Sequence, residues 1–242
     1  MATIAELQSP LRFSGTPSRL ECIAQMARPA AGRASVALQL GGRLGDHRSN
    51  LHLLRVHGSE SVRMRFAVPS VTPAGSYRGA ARVDDREIPI LVDVQPRAGL
   101  TISPSSLSVE TASGGESTTT VTLLNRGNVP CEIGKAYVFR LFDNNSYDHA
   151  LAAALREEGE KGRARLDRFI DEFVSAGGGN VRVAVQAGAG VIEPGEQSEL
   201  TLRMKFPDHL ADDRGYYGYI TMHNLHFCVN VHVSARHGRA SR

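Results

Sequence analysis

Apolar and polar residues alternate over much of this chain, and the clearest alternation lies between residues 68 and 95. One strand runs from Tyr77 to Val83, Asp84-Asp85 reverses the chain, and a second strand runs from Ile88 to Val94. Every second residue of the returning strand is apolar, which is typical of a strand with one buried face. The pattern therefore predicts a complete β-hairpin.

A weaker copy of this arrangement lies between Lys205 and Val233. A proline, a polar turn, a Gly-x-Tyr sequence and two alternating strands follow one another in the same order. The repetition predicts two β-domains that end in similar hairpins.

Further short strands precede the first hairpin, with turn residues between them. They are predicted at Leu11 to Thr16, Leu20 to Ala27, Ser35 to Leu40, Leu51 to Val56 and Val62 to Val68, the last two joined around His57-Gly58-Ser59. Gly41-Gly42 and Gly45-Asp46 mark a loop. About seven short strands in a domain of about 95 residues favour an immunoglobulin-like β-sandwich over a helical or α/β fold.

The domain boundary is predicted at the short linker Pro96-Arg-Ala-Gly99. The first domain then covers residues 1–97, the second covers residues 98–236, and residues 237–242 form a flexible tail. Two domains of roughly this length can each bury a core of their own.

Turn chemistry in the second domain resembles that of a known family. Thr118 to Leu124 is rich in β-branched residues, Asn125 to Pro130 reads N-x-G-N-x-P, and Ile192 to Glu196 carries a Pro-Gly-Glu turn before another strand. Together with the T-P-x-G-x-Y-x-G of the first hairpin, these stretches resemble bacterial immunoglobulin-like domains appended to cell-surface proteins and glycosidases. The resemblance implies tandem sandwiches that serve as accessory or adhesive modules. Many such modules are secreted, whereas this sequence starts without a signal peptide.

The β pattern is interrupted at about residues 146–176. Good helix formers fill this segment, glycines at 159 and 162 divide it, and Gly177-Gly-Gly179 ends it, so two helices with a break are predicted. Leu166, Phe169, Ile170 and Phe173 recur at helical spacing. The stripe has two interpretations: it packs over its own sandwich, or it docks into a partner. These four residues are candidate partner-binding residues.

Three tyrosines cluster at the start of the last hairpin. Tyr216, Tyr217 and Tyr219 are candidates for a sugar-stacking or protein-contact patch, and Tyr216 and Tyr217 join the predicted partner-binding set. The alternative is that they fill the edge of the sandwich or form a tyrosine corner. The chain has no tryptophan, which weakens a carbohydrate-binding interpretation.

The charge balance argues against a nucleic-acid-binding protein, and the cysteine spacing argues against a zinc site. The 28 basic and 25 acidic residues give a formal charge of only +3, without the concentrated basic face of a nucleic-acid-binding protein. Cys22, Cys131 and Cys228 lack the paired short spacings of a zinc site, so free thiols in a reducing compartment are expected.

Motifs for catalysis, cofactors and metals are not found. His223, His226 and His232 lie in the last hairpin, where exposed or hydrogen-bonded strand histidines are expected rather than metal ligands. There is no nucleophile elbow, phosphate-binding loop or dinucleotide fingerprint. The N-terminus lacks a signal peptide, and no apolar run approaches the ~20 residues that cross a bilayer. A cytoplasmic protein without membrane insertion is therefore expected.

The sequence thus predicts an all-β protein of two tandem immunoglobulin-like β-sandwiches, the second with a helical insertion. Its predicted function is that of a non-enzymatic interaction or structural subunit of a larger bacterial assembly, with no cofactor. Protein partners would bind at sandwich edges, loops and the helical insertion, and a homo-oligomer is one such assembly. The alternative is an accessory ligand-binding module, for example for glycans.

Overall fold

The structure, a computed structural model, describes residues 10–25, 34–41, 45–56, 61–83, 86–156, 162–175, 177–212 and 214–234. The chain divides into two compact units. The first is formed by Met1–Gly99 with the short segments Asn125–Pro130 and Glu193–Glu196, and the second by the remainder.

The first unit is an eight-stranded β-structure. Its strands are β1 (Leu11–Thr16), β2 (Arg19–Gln25), β3 (Ala34–Gly41), β4 (Gly45–Asn50), β5 (His52–Arg55), β6 (Ser61–Phe66), β7 (Gly75–Val83) and β8 (Arg86–Val94). They pair in the order β4-β3-β7-β8-β1-β2-β6-β5. Within this order β1 pairs parallel with β8 on one side and antiparallel with β2 on the other, and the short, mostly antiparallel strands are those of an immunoglobulin-like sandwich.

The predicted hairpin between residues 77 and 94 is confirmed. β7 and β8 pair antiparallel, with Tyr77 opposite Val92. Ile88, Ile90, Val92 and Val94 are all buried, as a period of two requires. The predicted hairpin of β5 and β6 is also present. The reversing residues Asp84-Asp85 and His57-Gly58-Ser59 lie outside the described residues.

The predicted loop at Gly41-Gly42 and Gly45-Asp46 is wrong at its ends, because Gly41 ends β3 and Gly45-Asp46 begin β4, and Gly42 lies outside the described residues. β4 pairs with β3 along an outer edge of the strand order, and its residues are exposed or half-buried. A strand that buries neither face has no apolar alternation, so its sequence looks like a loop.

The second unit is also built from eight principal strands. They are β9 (Leu100–Ser103), β10 (Ser106–Thr111), β11 (Glu116–Asn125), β13 (Ala136–Asp143), β14 (Gly177–Ala187), β16 (Gln197–Lys205), β17 (Gly215–Met222) and β18 (Leu225–Val233), with a small pair β12 (Cys131–Ile133) and β15 (Gly190–Ile192). The order is β10-β18-β17-β13-β14-β16-β11-β9. β9 and β10 therefore lie at opposite ends of the strand order, and β14 is paired on both sides.

Each unit has its own hydrophobic core, made by the inward-facing residues of its strands. In the first, Phe13 packs edge to face on Phe66 with ring centroids 5.0 Å apart. In the second, Phe227 and the strand residues around it are almost fully buried. Two cores are consistent with the all-β, two-domain fold class predicted from the sequence, and the exact boundary at residues 97–98 stays a prediction.

In each unit, a tyrosine hydroxyl forms a hydrogen bond to the backbone of the loop that precedes the tyrosine's own strand. The hydroxyl of Tyr77 in β7 donates to the carbonyl of Pro73 at 2.7 Å. The hydroxyl of Tyr216 in β17 accepts from the amide of Ala211 at 3.1 Å. Both contacts match the tyrosine corner of immunoglobulin-like domains, in which a tyrosine bonds to backbone a few residues upstream.

The helical insertion lies between β13 and β14. α1 covers Ser146–Arg156 and α2 covers Arg163–Ser175, which confirms the prediction of two helices, while the predicted break at Gly159 lies outside the described residues. Gly162 precedes α2 with φ of +61°, a conformation that favours glycine. The glycines predicted to end the insertion have a second role, because Gly177–Ala187 is strand β14.

Candidate partner-binding surface of the helical hairpin

Six aromatic rings form a continuous series from the helices onto the sheet of the second unit. We call this series the aromatic ladder. In order, its members are Tyr147 of α1, Phe169 and Phe173 of α2, Phe142 of β13, and Tyr217 and Tyr219 of β17. Successive ring centroids are 5.6, 5.9, 6.1, 5.7 and 6.1 Å apart. These separations are those of favourable aromatic pairs, so the ladder attaches α2 to the sheet.

Strand pairing explains how the middle of the ladder forms. Phe142 and Tyr217 lie directly opposite each other on β13 and β17, so their side chains leave the same face of the sheet. Phe142 then meets Phe173 of α2. Arg140, two residues earlier on the same face, places its guanidinium 5.9 Å from the centre of the Phe142 ring and donates to the carbonyl of Val174 at 3.1 Å.

A buried carboxylate organises the turn that leads into α1. Asp143 accepts from the amide of Asn145 at 2.8 Å and from the guanidinium of Arg214 at 2.8 Å. Its side chain is buried, so the two donors compensate for the loss of water around the charge. This carboxylate joins the turn that precedes α1 to the loop before β17.

The two helices lie against each other, and the side chains that α1 buries are small. Ser146, Ala150 and Ala154 are the buried residues of that helix, and they recur every fourth position. Such spacing places them on one side of the helix, where small side chains permit a close approach.

Large apolar side chains are left exposed beside this packed side. On α1 they are Tyr147, Leu151 and Leu155, and on α2 they are Leu166, Ile170 and Val174. Each set has the spacing i, i+4, i+8, which forms a stripe along one side of a helix. We call these six residues the exposed stripes. Grouped large apolar side chains on a surface mark sites of protein interaction more often than scattered ones do.

The structure places five of the six predicted partner-binding residues on the helical hairpin or the sheet surface beside it, in two groups. Leu166 and Ile170 belong to the exposed stripes. Phe169, Phe173 and Tyr217 are half-buried members of the aromatic ladder.

Tyr216 does not fit the predicted surface. It is buried in the core, and its hydroxyl is occupied by the amide of Ala211. A ring in this position cannot reach a partner, because alternate residues of a strand point to opposite faces. Tyr216 therefore belongs to the alternative interpretation, that of a tyrosine corner.

Sequence reasoning missed part of this surface. Tyr147, Leu151 and Leu155 are spaced four residues apart in a predicted helical segment, and this spacing is visible in the sequence. Val174 continues the series of Leu166 and Ile170 in the same way. The role of Phe142 has no local signal, because its partners Phe173 and Tyr217 are distant in the chain.

Comparisons with known proteins identify no family. No protein-family model and no curated protein matches the sequence. Among solved structures, the chain is similar to a fragment described as DIP-gamma IG1+IG2, with 10% identity, 95% of this chain and 97% of that chain covered, and a TM-score of 0.32. A titin fragment matches with 9% identity, 97% and 100% coverage, and a TM-score of 0.28.

A third similar structure is a protein of unknown function from Porphyromonas gingivalis W83. It shares 10% identity, the match covers 95% of this chain and 99% of that chain, and the TM-score is 0.30. These TM-scores are too low to carry an argument about function. The assignment of the fold accordingly depends on strand order and cores.

Two of the three histidines in the last hairpin form hydrogen bonds in the structure. His226 lies 2.9 Å from the hydroxyl of Thr221, and His223 bonds to the carbonyl of Glu132. Within the described residues, no group of three or more potential ligands is arranged to hold a metal ion. Neither of the described helices has the length and apolar character needed to span a membrane.

The three cysteines differ in their exposure. Cys131 is almost completely buried, Cys22 is buried, and Cys228 is half-buried. Burial raises the pKa of the Cys22 thiol, because the thiolate would lose its hydration. A raised pKa reduces the thiolate fraction, and the thiolate is the reactive form.

We expect thiol reagents to distinguish these positions. In the native protein, 5,5′-dithiobis(2-nitrobenzoate) should modify Cys228 first, and Cys22 and Cys131 only as the chain opens. Peptide mapping after timed quenching measures the order, with the urea-unfolded chain as control, and early modification of Cys131 would contradict the described packing. Mass measurement without reductant should find three thiols, whereas a disulfide would argue against the predicted cytoplasmic location.

Proposed function

We propose that this protein is a non-enzymatic interaction or structural subunit of a larger protein assembly, and that the exposed stripes of its helical hairpin bind a protein partner. The observation that supports this proposal is the pair of regularly spaced apolar stripes on α1 and α2. An apolar helical face of this kind fits a complementary groove, with anchors at successive helical turns.

The internal packing of the helical hairpin, formed by α1 and α2, strengthens the proposal. Phe169 and Phe173 already hold α2 to the sheet, and Ala150 and Ala154 are the side chains that α1 already buries together with Ser146. Apart from Tyr147, which also contacts Phe169, the stripes are therefore additional to the side chains that stabilise the helical hairpin. Leaving large apolar side chains in water contributes nothing to folding, and covering them with a partner is favourable.

A cytoplasmic location and a bacterial source belong to the same proposal. A glycan-binding module is the second candidate, favoured by the exposed ring of Tyr219 at one end of the aromatic ladder. A sugar could stack on that ring without using the exposed stripes.

Replacing Leu166 and Ile170 together by serine should abolish partner binding without changing stability. Both side chains are exposed, so we expect the free energy of unfolding to change by less than about 0.5 kcal/mol. The measurement is affinity purification of the tagged chain from its host after crosslinking, with melting curves recorded in parallel. The protein that crosslinks to the wild type should be absent from the variant.

A matched control is available on the first unit. Ile23 and Leu54 are 62% and 46% exposed, close to the 57% and 46% of Leu166 and Ile170. Serine at both control positions removes similar apolar surface and should leave the partner bound. Equal retention by both variants, or equal loss, would refute the proposed surface, and capture of glycans through Tyr219 alone would favour the second candidate.

A further inference from the structure

A second surface of the second unit combines an apolar floor with basic walls. On the outward face of the sheet, Val138 of β13 lies opposite Arg182 of β14, and Arg182 lies opposite Lys205 of β16. In the adjacent row, Ala184 of β14 lies opposite Arg203 of β16. These residues line a groove of about 390 Å³, which we call the basic groove.

The floor of the basic groove is apolar and open to solvent. Val138 is 64% exposed, which is unusual for a large aliphatic side chain in the middle of a paired strand. Ala136 and Ala184 lie beside it with exposed, small side chains. The small neighbours leave room above the floor for one aliphatic side chain of a ligand.

The walls carry more positive than negative charge. Arg182, Arg203 and Lys205 line the groove together with one carboxylate, Glu116. Glu116 is occupied, because the Nε of Arg203 donates to it at 2.9 Å. In the described part of the chain, no carboxylate forms an ion pair with Arg182 or Lys205.

The two cations that form no ion pair with a described residue also line a neighbouring cavity. Arg182 and Lys205 also line a space of about 410 Å³, with Asn180 and Asp208 among its other residues. A ligand with several carboxylates could therefore extend from the basic groove along this second cavity. Asp208 would disfavour a carboxylate at the far end, which limits the preferred ligand to a short acidic run.

We propose that the basic groove binds a short acidic peptide segment that carries one aliphatic side chain, with the aliphatic group on Val138 and carboxylates at Arg182 and Lys205. Charge complementarity selects this occupant, since arginine and carboxylate pair in a planar, bidentate geometry. β14 is hydrogen-bonded on both sides, so the ligand is recognised by side chains and not by added strand pairing. This surface does not include the exposed stripes.

Nucleic acid fits the basic groove less well. Binding to phosphates requires a longer track of cations, and single strands also need aromatic faces for base stacking. Among the described residues that line the groove, Tyr137 alone is aromatic, and it is half-buried with its hydroxyl bonded to the amide of Gly134 at 2.8 Å.

The test uses the full chain, labelled with ¹⁵N, and three capped pentapeptides. The probe is Glu-Glu-Leu-Glu-Glu, and the comparison peptides are Glu-Glu-Ser-Glu-Glu and Lys-Lys-Leu-Lys-Lys. We expect the probe to shift the amide resonances of residues 136–138, 182–184 and 203–205. The serine peptide should bind more weakly, and the lysine peptide should cause no shift there.

The second part of the test measures binding of the same probe to a charge-reversed variant. Arg182→Glu combined with Lys205→Glu should weaken binding of the probe by about tenfold or more, because attraction at two positions becomes repulsion. Arg48→Glu combined with Arg82→Glu changes two exposed arginines on β4 and β7 of the first unit and should leave the affinity unchanged.

Val138→Thr tests the floor with almost no change in shape and should lower the affinity for the leucine probe more than for the serine peptide. The proposal is overturned if the probe shifts no resonance of the groove, if the charge-reversed chain binds it equally, or if the serine peptide binds as well. Stronger binding of a uridine hexanucleotide at the same resonances would assign the groove to nucleic acid instead. If the charge-reversed chain does not fold, the three peptides and Val138→Thr decide the outcome.

Discussion

Phe227→Ala is expected to lower the free energy of unfolding of the second unit by about 3–5 kcal/mol, the usual cost of removing a buried phenylalanine. The ring is 1% exposed and lies on β18 opposite Ile220, within the core of that unit. Alanine leaves a cavity that the paired strands cannot close. Urea unfolding followed by far-ultraviolet circular dichroism measures the change, since the chain contains no tryptophan for fluorescence.

The same substitution in the first unit tests whether the two cores unfold separately. Phe13 is also 1% exposed and packs on Phe66. Phe13→Ala should shift one unfolding transition and Phe227→Ala the other, each leaving its counterpart in place. A single transition that moves equally in both variants would contradict the prediction of independent domains.

Strands with one buried face could be predicted from the sequence, because burial imposes alternation on them. The hairpin of β7 and β8 is an example, with Ile88, Ile90, Val92 and Val94 all directed inward. β4 was not predictable in this way. The sequence of Gly45–Asn50 is polar throughout, and the strand is held by backbone pairing to β3.

The glycines at residues 177–179 show a second limit. A glycine run after a helix normally ends it, and α2 does end before them. The sheet also requires glycine there, because a Cβ on Gly178 would lie 2.8 Å from the Cβ of Leu141 and 2.9 Å from the ring of Tyr216. Only the assembled sheet shows that close approach, so the start of β14 could not be predicted.

The candidate surface was predictable as a segment but not side chain by side chain. Helical spacing groups Leu166, Phe169, Ile170 and Phe173 as one apolar stripe of α2, whereas the structure separates two exposed residues from two members of the aromatic ladder. Which of them faces the sheet depends on Phe142, and β13 meets α2 only through the fold. The basic groove is less predictable still, because strand pairing alone brings Arg182 beside Lys205.

Two residues of the predicted stripe, Phe169 and Phe173, belong to the aromatic ladder, so replacing them should strongly destabilise the helical hairpin of α1 and α2. Phe169→Ser combined with Phe173→Ser removes three aromatic pairs and should destabilise the packed helical hairpin by about 3–7 kcal/mol. Each fully buried large side chain contributes roughly 1.5–3 kcal/mol and these rings are half-buried, while each lost aromatic pair adds about 0.5–1.5 kcal/mol. Serine and phenylalanine have similar helix propensities, so the loss reports packing.

Hydrogen exchange measured by mass spectrometry locates this loss. In the serine variant of Phe169 and Phe173, amides of α1 and α2 should exchange faster, while β17 and β18 retain their protection because their core is unchanged. Leu166→Ser combined with Ile170→Ser is the matched control, since it places two serines on the same helix at exposed positions and should leave exchange unaltered. Equal exchange in the two variants would show that the aromatic ladder does not hold the hairpin. Loss of protection throughout β17 and β18 would show instead that the two rings stabilise the sandwich as a whole.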